Sequence, residues 1–315
     1  MRILVLGSGA REHAIVHSLH REGGHQLYAA PGNPGIGELA ELCRTDLTSG
    51  PAVALTAHQI KADLVVIGPE APLVDGVADS LRAARIACFG PSAAAAQLEG
   101  SKAFAKEVMA AAGVPTAGSA VATTPAAVAE SLDQFGPPYV VKNDGLAAGK
   151  GVVVTESREE ALNHAQACFE VGSPVVVEEF LDGPEVSLFC VTDGETVLPL
   201  APAQDFKRAL DDDQGLNTGG MGAYSPLPWA PPDLTGQVLA KVARPAVAEM
   251  ARRGVPFQGL LYCGLALTSK GLKVVEFNAR FGDPETQVVL AQLQTPLSGL
   301  LWAAAKGDLA HAQPL

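Results

Sequence analysis

Two oxygen-bearing side chains stand two residues apart late in the chain. Glu276 and Asn278 fall at i and i+2 of the run 272–278, so on a strand both point to one face. One carboxylate and one amide oxygen make the sparse set that Mg²⁺ uses when nucleotide phosphates supply the other ligands. A polar edge strand facing water is the competing explanation. A second run, 175–181, reads as a buried strand ending in Glu178 and Glu179, followed by Phe180 and Leu181. Its backbone can pair with an adenine edge while Phe180 and Leu181 pack on the ring. Glu185, past the Asp182-Gly183 turn, can accept from ribose hydroxyls. Lys102 and Lys142 are then cations for the phosphates. Each assignment alone competes with a solvated surface charge. Together they describe an ATP site between a small lid and a larger sheet.

Two glycine-rich stretches have phosphate chemistry available to them. Gly7-Ser8-Gly9 follows a short apolar run, but position 12 is Glu12, where a dinucleotide fingerprint needs its third glycine. The carboxylate expected about 20 residues on is also missing; Ala29-Ala30-Pro31 stands there. The turn instead predicts free backbone N–H groups for a single phosphate, with Arg11 as a second anchor. A plain tight turn is the alternative. The stretch from Gly145 through Gly149, Lys150 and Gly151 misses the P-loop spacing by one residue, and Gly151 replaces the Ser or Thr needed for magnesium. A strand-like run follows it, not a helix. A glycine-rich hairpin can still fold over phosphates through its N–H groups.

The elements that must position these groups follow from the pattern. The first hundred residues alternate short apolar runs (3–6, 26–29, 64–67, 87–89) with helical stretches, including 73–84. This is the signature of a parallel sheet covered by helices, with ligands beyond the carboxyl ends of the strands. From residue 101 the rhythm changes to helix 102–112, strand 118–122, helix 125–134, strands 139–142 and 152–155, helix 158–168 and strand 175–179. That is a compact α+β unit. Strands follow near 186–192 and 196–200. The polar segment 204–224 is too long and too rich in Asp and Gly for an ordinary connector, which predicts a functional loop. A helix near 237–253, strands 259–268 and 272–278, and helices from Pro284 and Pro296 complete the chain. Asp283 before Pro284 reads as a helix N-cap or a substrate contact.

Composition bounds the rest. The 315 residues suggest about two domains at roughly 150 each. Lys plus Arg is 22 and Asp plus Glu is 34, a net charge of −12, which argues against nucleic acid or an anionic membrane as partner. The five cysteines are widely spaced without a C-x-x-C, so neither a disulfide framework nor a zinc site is expected. No apolar run of about 18 residues predicts a membrane span, and the expectation is a cytoplasmic protein.

The segments GSGAREHA (7–14), PGNPG (31–35), GPEAPLVDG (68–76), LEGSKAFAK (98–106), VVKNDGLAAGKG (140–151), VEEFLDGPEVS (177–187), QDFKRALDDDQGLNTGGMGAYSP (204–226) and VVEFNARFGDPETQ (274–287) together resemble the glycinamide ribonucleotide synthetase family, within the ATP-grasp superfamily. The resemblance runs to about residue 308. It implies an N-terminal parallel-sheet domain (1–100), an ATP-grasp domain (101–308) with a lid at about 115–180, and a short tail (309–315). It implies ATP-dependent ligation of glycine to 5-phosphoribosylamine, with Mg²⁺ or Mn²⁺ held by Glu276 and Asn278. Gly9, Ala10, Arg11 and Glu12, with Pro31, Gly32 and Asn33, are the implied phosphoribosylamine contacts. Arg280 is implied to steady the transferring phosphoryl group or the glycine carboxylate. Asp205 and Lys207 become candidate substrate contacts on a closing loop. An acyl phosphate route needs no enzyme nucleophile, and no Ser/His or Cys/His arrangement stands out. Ala10 replaces a usual Gly, Asn143 a usual Ala and Phe206 a usual His. Family members continue into a further C-terminal domain, so this chain reads as shorter than its family. Another purine-pathway ATP-grasp ligase, and a nucleotide-binding fragment without turnover, are the alternative readings.

Overall fold

The computed structural model describes residues 1–146, 151–211 and 214–312. Gly149 and Lys150 of the glycine-rich loop lie outside the described residues, as do the last three residues of the tail.

Five strands, β1 (Arg2–Gly7), β2 (Gln26–Pro31), β3 (Glu41–Leu42), β4 (Leu64–Ile67) and β5 (Ala87–Phe89), form a parallel sheet in the order β3-β2-β1-β4-β5. β1 from Ile3 to Leu6, and all of β4, are apolar and buried because helices cover both faces. The predicted helix 73–84 is two pieces, Glu70–Val74 and Val77–Ala83. Gly76 divides them at φ +80°, a conformation that only glycine adopts without strain. The alanine tract is also helical: Ala93–Gly100 starts at Ser92, whose hydroxyl accepts from Ala95 N–H.

The next unit is a four-stranded antiparallel sheet, β6 (Ser119–Ala122), β7 (Tyr139–Asn143), β8 (Val152–Thr155) and β9 (Val175–Glu178), in the order β6-β9-β7-β8. Helices Pro125–Phe135 and Arg158–Glu170 cover one face. Their N-caps, Thr124 and Ser157, accept from the N–H groups of Ala127 and Glu160. Val128, Leu132, Val141, Ala165, Val175 and Val177 belong to a small core of this unit's own. Strand alternation sends Lys142 and Glu178 to the opposite face.

The body sheet is antiparallel: β10 (Glu185–Asp193), β11 (Val197–Pro199), then β14 (Gln258–Thr268) and β15 (Gly271–Asn278), in the order β11-β10-β14-β15. Segment 204–224 is not a loop. It is a hairpin of β12 (Gln204–Leu210) and β13 (Gln214–Tyr224) with irregular register. Its glycines hid the strand pattern. Gly220, at φ +124°, packs on the turn before helix Glu285–Gln292; a Cβ there would lie 2.4 Å from Pro284 Cδ. The predicted helix 237–253 is also segmented, with a wide π turn at Leu239–Ala243 before Arg244–Arg252, where Pro245 cannot donate a helix hydrogen bond.

The N-terminal and body sheets share their cores. One cluster joins Leu4, Leu6 and Ile67 to Leu188, Leu261 and Phe277. A second joins Ile3, Val5 and Phe89 to Phe189, Leu260 and Leu301. Among the described residues no single helix is long and apolar enough to cross a membrane.

Candidate active site

The body sheet and the lid face each other across a cleft. Glu276 pairs with Gly264, and Asn278 with Tyr262, on one face of β14–β15, so the predicted i, i+2 geometry holds. Burial opposes ionisation of Glu276. Lys207, Lys142, Lys102 and Arg280 outweigh it and hold the carboxyl below its ordinary range. Among the described residues the Glu276 carboxylate has no hydrogen-bond donor, which leaves its lone pairs to a cation. Asn278 is 8% exposed, and its Oδ1 accepts from Arg280 Nη2 at 3.3 Å. One carboxylate and one amide oxygen are here, and among the described residues no cluster of three or more His, Cys, Asp or Glu side chains is. The donor set suits a divalent ion that brings other ligands with it.

From the lid side, Lys142 reaches Glu178 at 2.9 Å and the Val275 carbonyl at 3.3 Å. Glu178 is also paired with Lys106 at 3.2 Å. Lys106 was not singled out in the sequence because nothing in its helix marks it. Lys106 also donates to Thr116 Oγ1 at 2.8 Å. Burial pulls the Lys102 and Lys106 ammonium groups below their ordinary range, against the pull of Glu276 on the first and Glu178 on the second. Lys102 donates to the carbonyl of Gly145, at the start of the glycine-rich loop, at 2.9 Å. Asp144 fixes that start: it accepts from Lys102 N–H at 2.6 Å and Ala103 N–H at 3.2 Å, at the N-terminus of helix Lys102–Ala112. Asn143 receives the Ser173 hydroxyl. Gly151 closes the loop by offering its carbonyl to Asn143 N–H at 2.7 Å.

The hairpin adds Asp205 and Lys207 on alternate positions of β12. Lys207 Nζ lies 2.6 Å from Glu185 Oε2 and 4.0 Å from Asp205 Oδ2. These carboxylates, with Glu276, push the Lys207 ammonium well up despite burial. Burial, with Glu285 and Glu185 nearby, raises the Asp205 carboxyl to about 6 against the pull of Lys207. Under the hairpin, the Tyr262 hydroxyl donates to Glu285 Oε1 at 2.6 Å and meets Ser187 Oγ at 2.7 Å. This buried trio also escaped the sequence reading.

Arg280 lies between the cleft and the N-terminal domain. It pairs with Glu99 at 2.7 Å and Glu70 at 3.3 Å. Arg11 pairs with Glu12 at 2.6 Å, donates to the Phe281 carbonyl at 3.1 Å and approaches Glu70 at 3.9 Å. Several expectations change here. The turn at Gly9 does not leave all its N–H groups free: Gly9 N–H donates to Glu12 Oε2 at 2.7 Å, and Arg11 N–H to Asp283 Oδ2 at 3.2 Å. Glu12 is 2% exposed and caps its own helix. Asp283 is not an N-cap, since helix Glu285–Gln292 begins after Pro284. It braces Arg11 and Gln287 instead. Beside Ala10, Asn33 Nδ2 donates to the Ser8 carbonyl at 2.9 Å, and Gly32 N–H to the Gly7 carbonyl at 3.1 Å, so loop 31–33 is held beside the turn. Glu179 is engaged by Lys270 and Lys273, each at 3.1 Å. Phe180 is 43% exposed, and with Leu181 it lines a cavity of about 200 Å³ against the β14–β15 turn.

A parallel-sheet domain followed by a lid and an antiparallel body, with lysines from both sides converging on one carboxylate, defines the ATP-grasp ligases as a class. The particular family follows from the sequence comparisons. The chain matches the phosphoribosylglycinamide synthetase N domain over residues 1–99 and its ATP-grasp (A) domain over residues 100–286, and it belongs to that family. A phosphoribosylamine–glycine ligase of Streptomyces coelicolor is 65% identical over 100% of this chain and 75% of its own length. The solved phosphoribosylamine–glycine ligase of Thermotoga maritima is 31% identical, with a TM-score of 0.86 over 100% of this chain and 77% of that one. The biotin carboxylase domain of a Hydrogenobacter thermophilus 2-oxoglutarate carboxylase, solved with MgADP, shares the fold with a TM-score of 0.73 at 17% identity, over 100% of this chain and 70% of that one.

Proposed function

We propose that this chain ligates glycine to 5-phosphoribosylamine at the expense of ATP, giving glycinamide ribonucleotide, ADP and phosphate. The observation that carries the reading is the convergence of Lys102, Lys142, Lys207 and Arg280 on the ionised Glu276, in a chain of this family. In the first step a glycine carboxylate oxygen attacks the γ-phosphorus and ADP leaves. In the second the phosphoribosylamine nitrogen attacks the acyl carbon, phosphate leaves and the nitrogen loses a proton. Neither step needs an enzyme nucleophile, so catalysis is positioning and charge neutralisation.

The residues take these roles. Lys102 and Lys142 receive the phosphates, exchanging their present partners Gly145 and Glu178 for phosphoryl oxygens. Gly145 and Gly151 bound the glycine-rich loop, in which Gly149 and Lys150 are further candidates for phosphate contact. The backbone and apolar groups of 178–181 hold the adenine, and Glu185 the ribose. Arg280 and Lys207 neutralise the anions at the reacting end. Asp205, with its carboxyl near 6, accepts the amine proton at neutral pH. Glu276 and Asn278 would hold Mg²⁺ (or Mn²⁺), which would supply positive charge to neutralise the phosphates. Gly9, Ala10, Arg11, Pro31, Gly32 and Asn33 surround the 5′-phosphate, with Glu12 holding Arg11 in place. Residues 1–100 thus serve the phosphoribosylamine, 101–308 the ATP, and about 115–180 form the lid. The test is phosphate release from ATP. It is expected to require both glycine and phosphoribosylamine. Release independent of glycine contradicts the reading, and tight ATP binding without product marks a nucleotide-binding protein instead.

A further inference from the structure

The lid is joined to the rest of the molecule by two chain crossings, one entering before β6 and one leaving after β9. Glu179 is the first residue of the exit. Its N–H donates to the Gly118 carbonyl of the entry at 2.8 Å, and its Oε2 accepts from Gly118 N–H at 3.3 Å. The same carboxylate takes Lys270 Nζ and Lys273 Nζ, each at 3.1 Å, from the turn and start of β15. Further contacts tie both crossings to this place. Val274 N–H donates to the Pro115 carbonyl at 2.8 Å, and Thr116 Oγ1 to the Val274 carbonyl at 2.7 Å. On the exit side, Asp182 accepts from Ser269 N–H at 3.1 Å, and Leu267 N–H donates to the Pro184 carbonyl at 3.0 Å.

We infer that Glu179 is a positioning residue of the lid hinge, stapling both crossings to the β14–β15 turn so that the cleft is formed before nucleotide arrives. The sequence suggested a nucleotide contact at this position. Both of its oxygens are instead occupied by protein donors. The two lysines and Gly118 hold its carboxyl down at about 2. Lys270 is 73% exposed and worth little alone, whereas Lys273 is 17% exposed and screened less. The staple residues also line the cavity that Phe180 and Leu181 share, next to the backbone of 178–181 to which the proposed function assigns the adenine. Loosening the staple therefore loosens the nucleotide end of the cleft.

The inference rests on that proposed function only for its kinetic arm. Three proteins test it: Glu179→Gln, the pair Lys270→Ala with Lys273→Ala, and the combination. Amide hydrogen exchange without substrate reads the hinge directly. Exchange in β6 and β9 is expected to rise about fivefold in Glu179→Gln, with β10 and β14 unchanged. In steady state the KM for ATP is expected to rise about fivefold, with kcat within about twofold. The combination is expected to be no worse than the worse parent, because both changes break one contact. Unchanged lid exchange in Glu179→Gln overturns the inference, as does protection lost equally from β10 and β14. Multiplied effects on KM also overturn it, since they would mean separate contacts to the nucleotide. A chain that ligates nothing would leave the exchange arm standing and would fail the proposed function instead.

Discussion

The lid and the N-terminal sheet both flank the body, and they are attached to it by different physics. The N-terminal sheet is welded. Its strands contribute to two hydrophobic clusters that run on into the body sheet, and Phe281 stacks edge-on against Phe189 at 5.8 Å and beside Phe89 at 6.0 Å. The lid keeps its own small core and meets the body through polar contacts: Lys142 to the Val275 carbonyl, Thr116 to Val274, and the Glu179 staple. Apolar contacts cannot be exchanged for ligand contacts without exposing surface to water. A lysine that holds a carbonyl or carboxylate can be handed to a phosphate. The welded side therefore fixes Glu276, Asn278 and Arg280, and the polar side is free to open and close over nucleotide.

The largest expected effect strikes the fixed side. Glu276→Ala is expected to lower turnover by about 10³-fold, with the chain still folded and lid exchange unchanged; phosphate-release assays and exchange measurements check both halves. Retained turnover removes Glu276 from the metal role. Phe281→Ala cuts the weld and is expected to cost about 3 kcal/mol or more of global stability. A single denaturant transition should shift, with the N-terminal and body strands losing protection together. If only one of them loses protection, the shared core is not a cooperative unit. Leu132→Ala, in the lid core, is expected to cost about 2–3 kcal/mol, felt as faster exchange in 119–178 and little shift in the main transition. An equal global loss would erase the distinction drawn above.

The smallest effects are on pH dependence, and the lid hinge and the β12–β13 hairpin carry opposite signs. Glu179 has a folded pKa near 2, below its unfolded value. Its contribution is present above the ordinary carboxylate range and is lost as pH falls towards 2. Asp205 has a folded pKa near 6, above its unfolded value. The folded state there favours the protonated form, so stability is greatest below the ordinary aspartate range and declines as pH rises through 6. Denaturant midpoints of Glu179→Gln and Asp205→Asn between pH 3 and 7 check this. Glu179→Gln should flatten the acid side and Asp205→Asn the decline towards 6. A decline unchanged in Asp205→Asn would assign it to another group.

Much of the cleft was legible in the sequence because its chemistry is local. Glu276 and Asn278 needed only a strand period to be placed on one face. The helix Lys102–Ala112 and the lid strand Val152–Thr155 matched their patterns because caps and β-branched runs mark them. What escaped depends on partners far away in the chain. Lys106 gains meaning only through Glu178, and Glu99 and Glu70 only through Arg280. Glu285 and Tyr262 lie 23 residues apart, and Ser187 a further 75 from Tyr262. The hairpin at 204–224 escaped because its glycines break the strand pattern, and one of them, Gly220, serves close packing on Pro284. Asp283 misled for a related reason: an Asp before Pro looks like a cap, but a helix start 272 residues away holds it.

The central claim is that a cleft of cations activates a carboxylate as an acyl phosphate, with no enzyme nucleophile. Glycine labelled with oxygen-18 in its carboxylate tests it most directly. The account predicts one labelled oxygen in the inorganic phosphate released per turnover, and only when phosphoribosylamine is converted to product. Phosphate released without the label would contradict it.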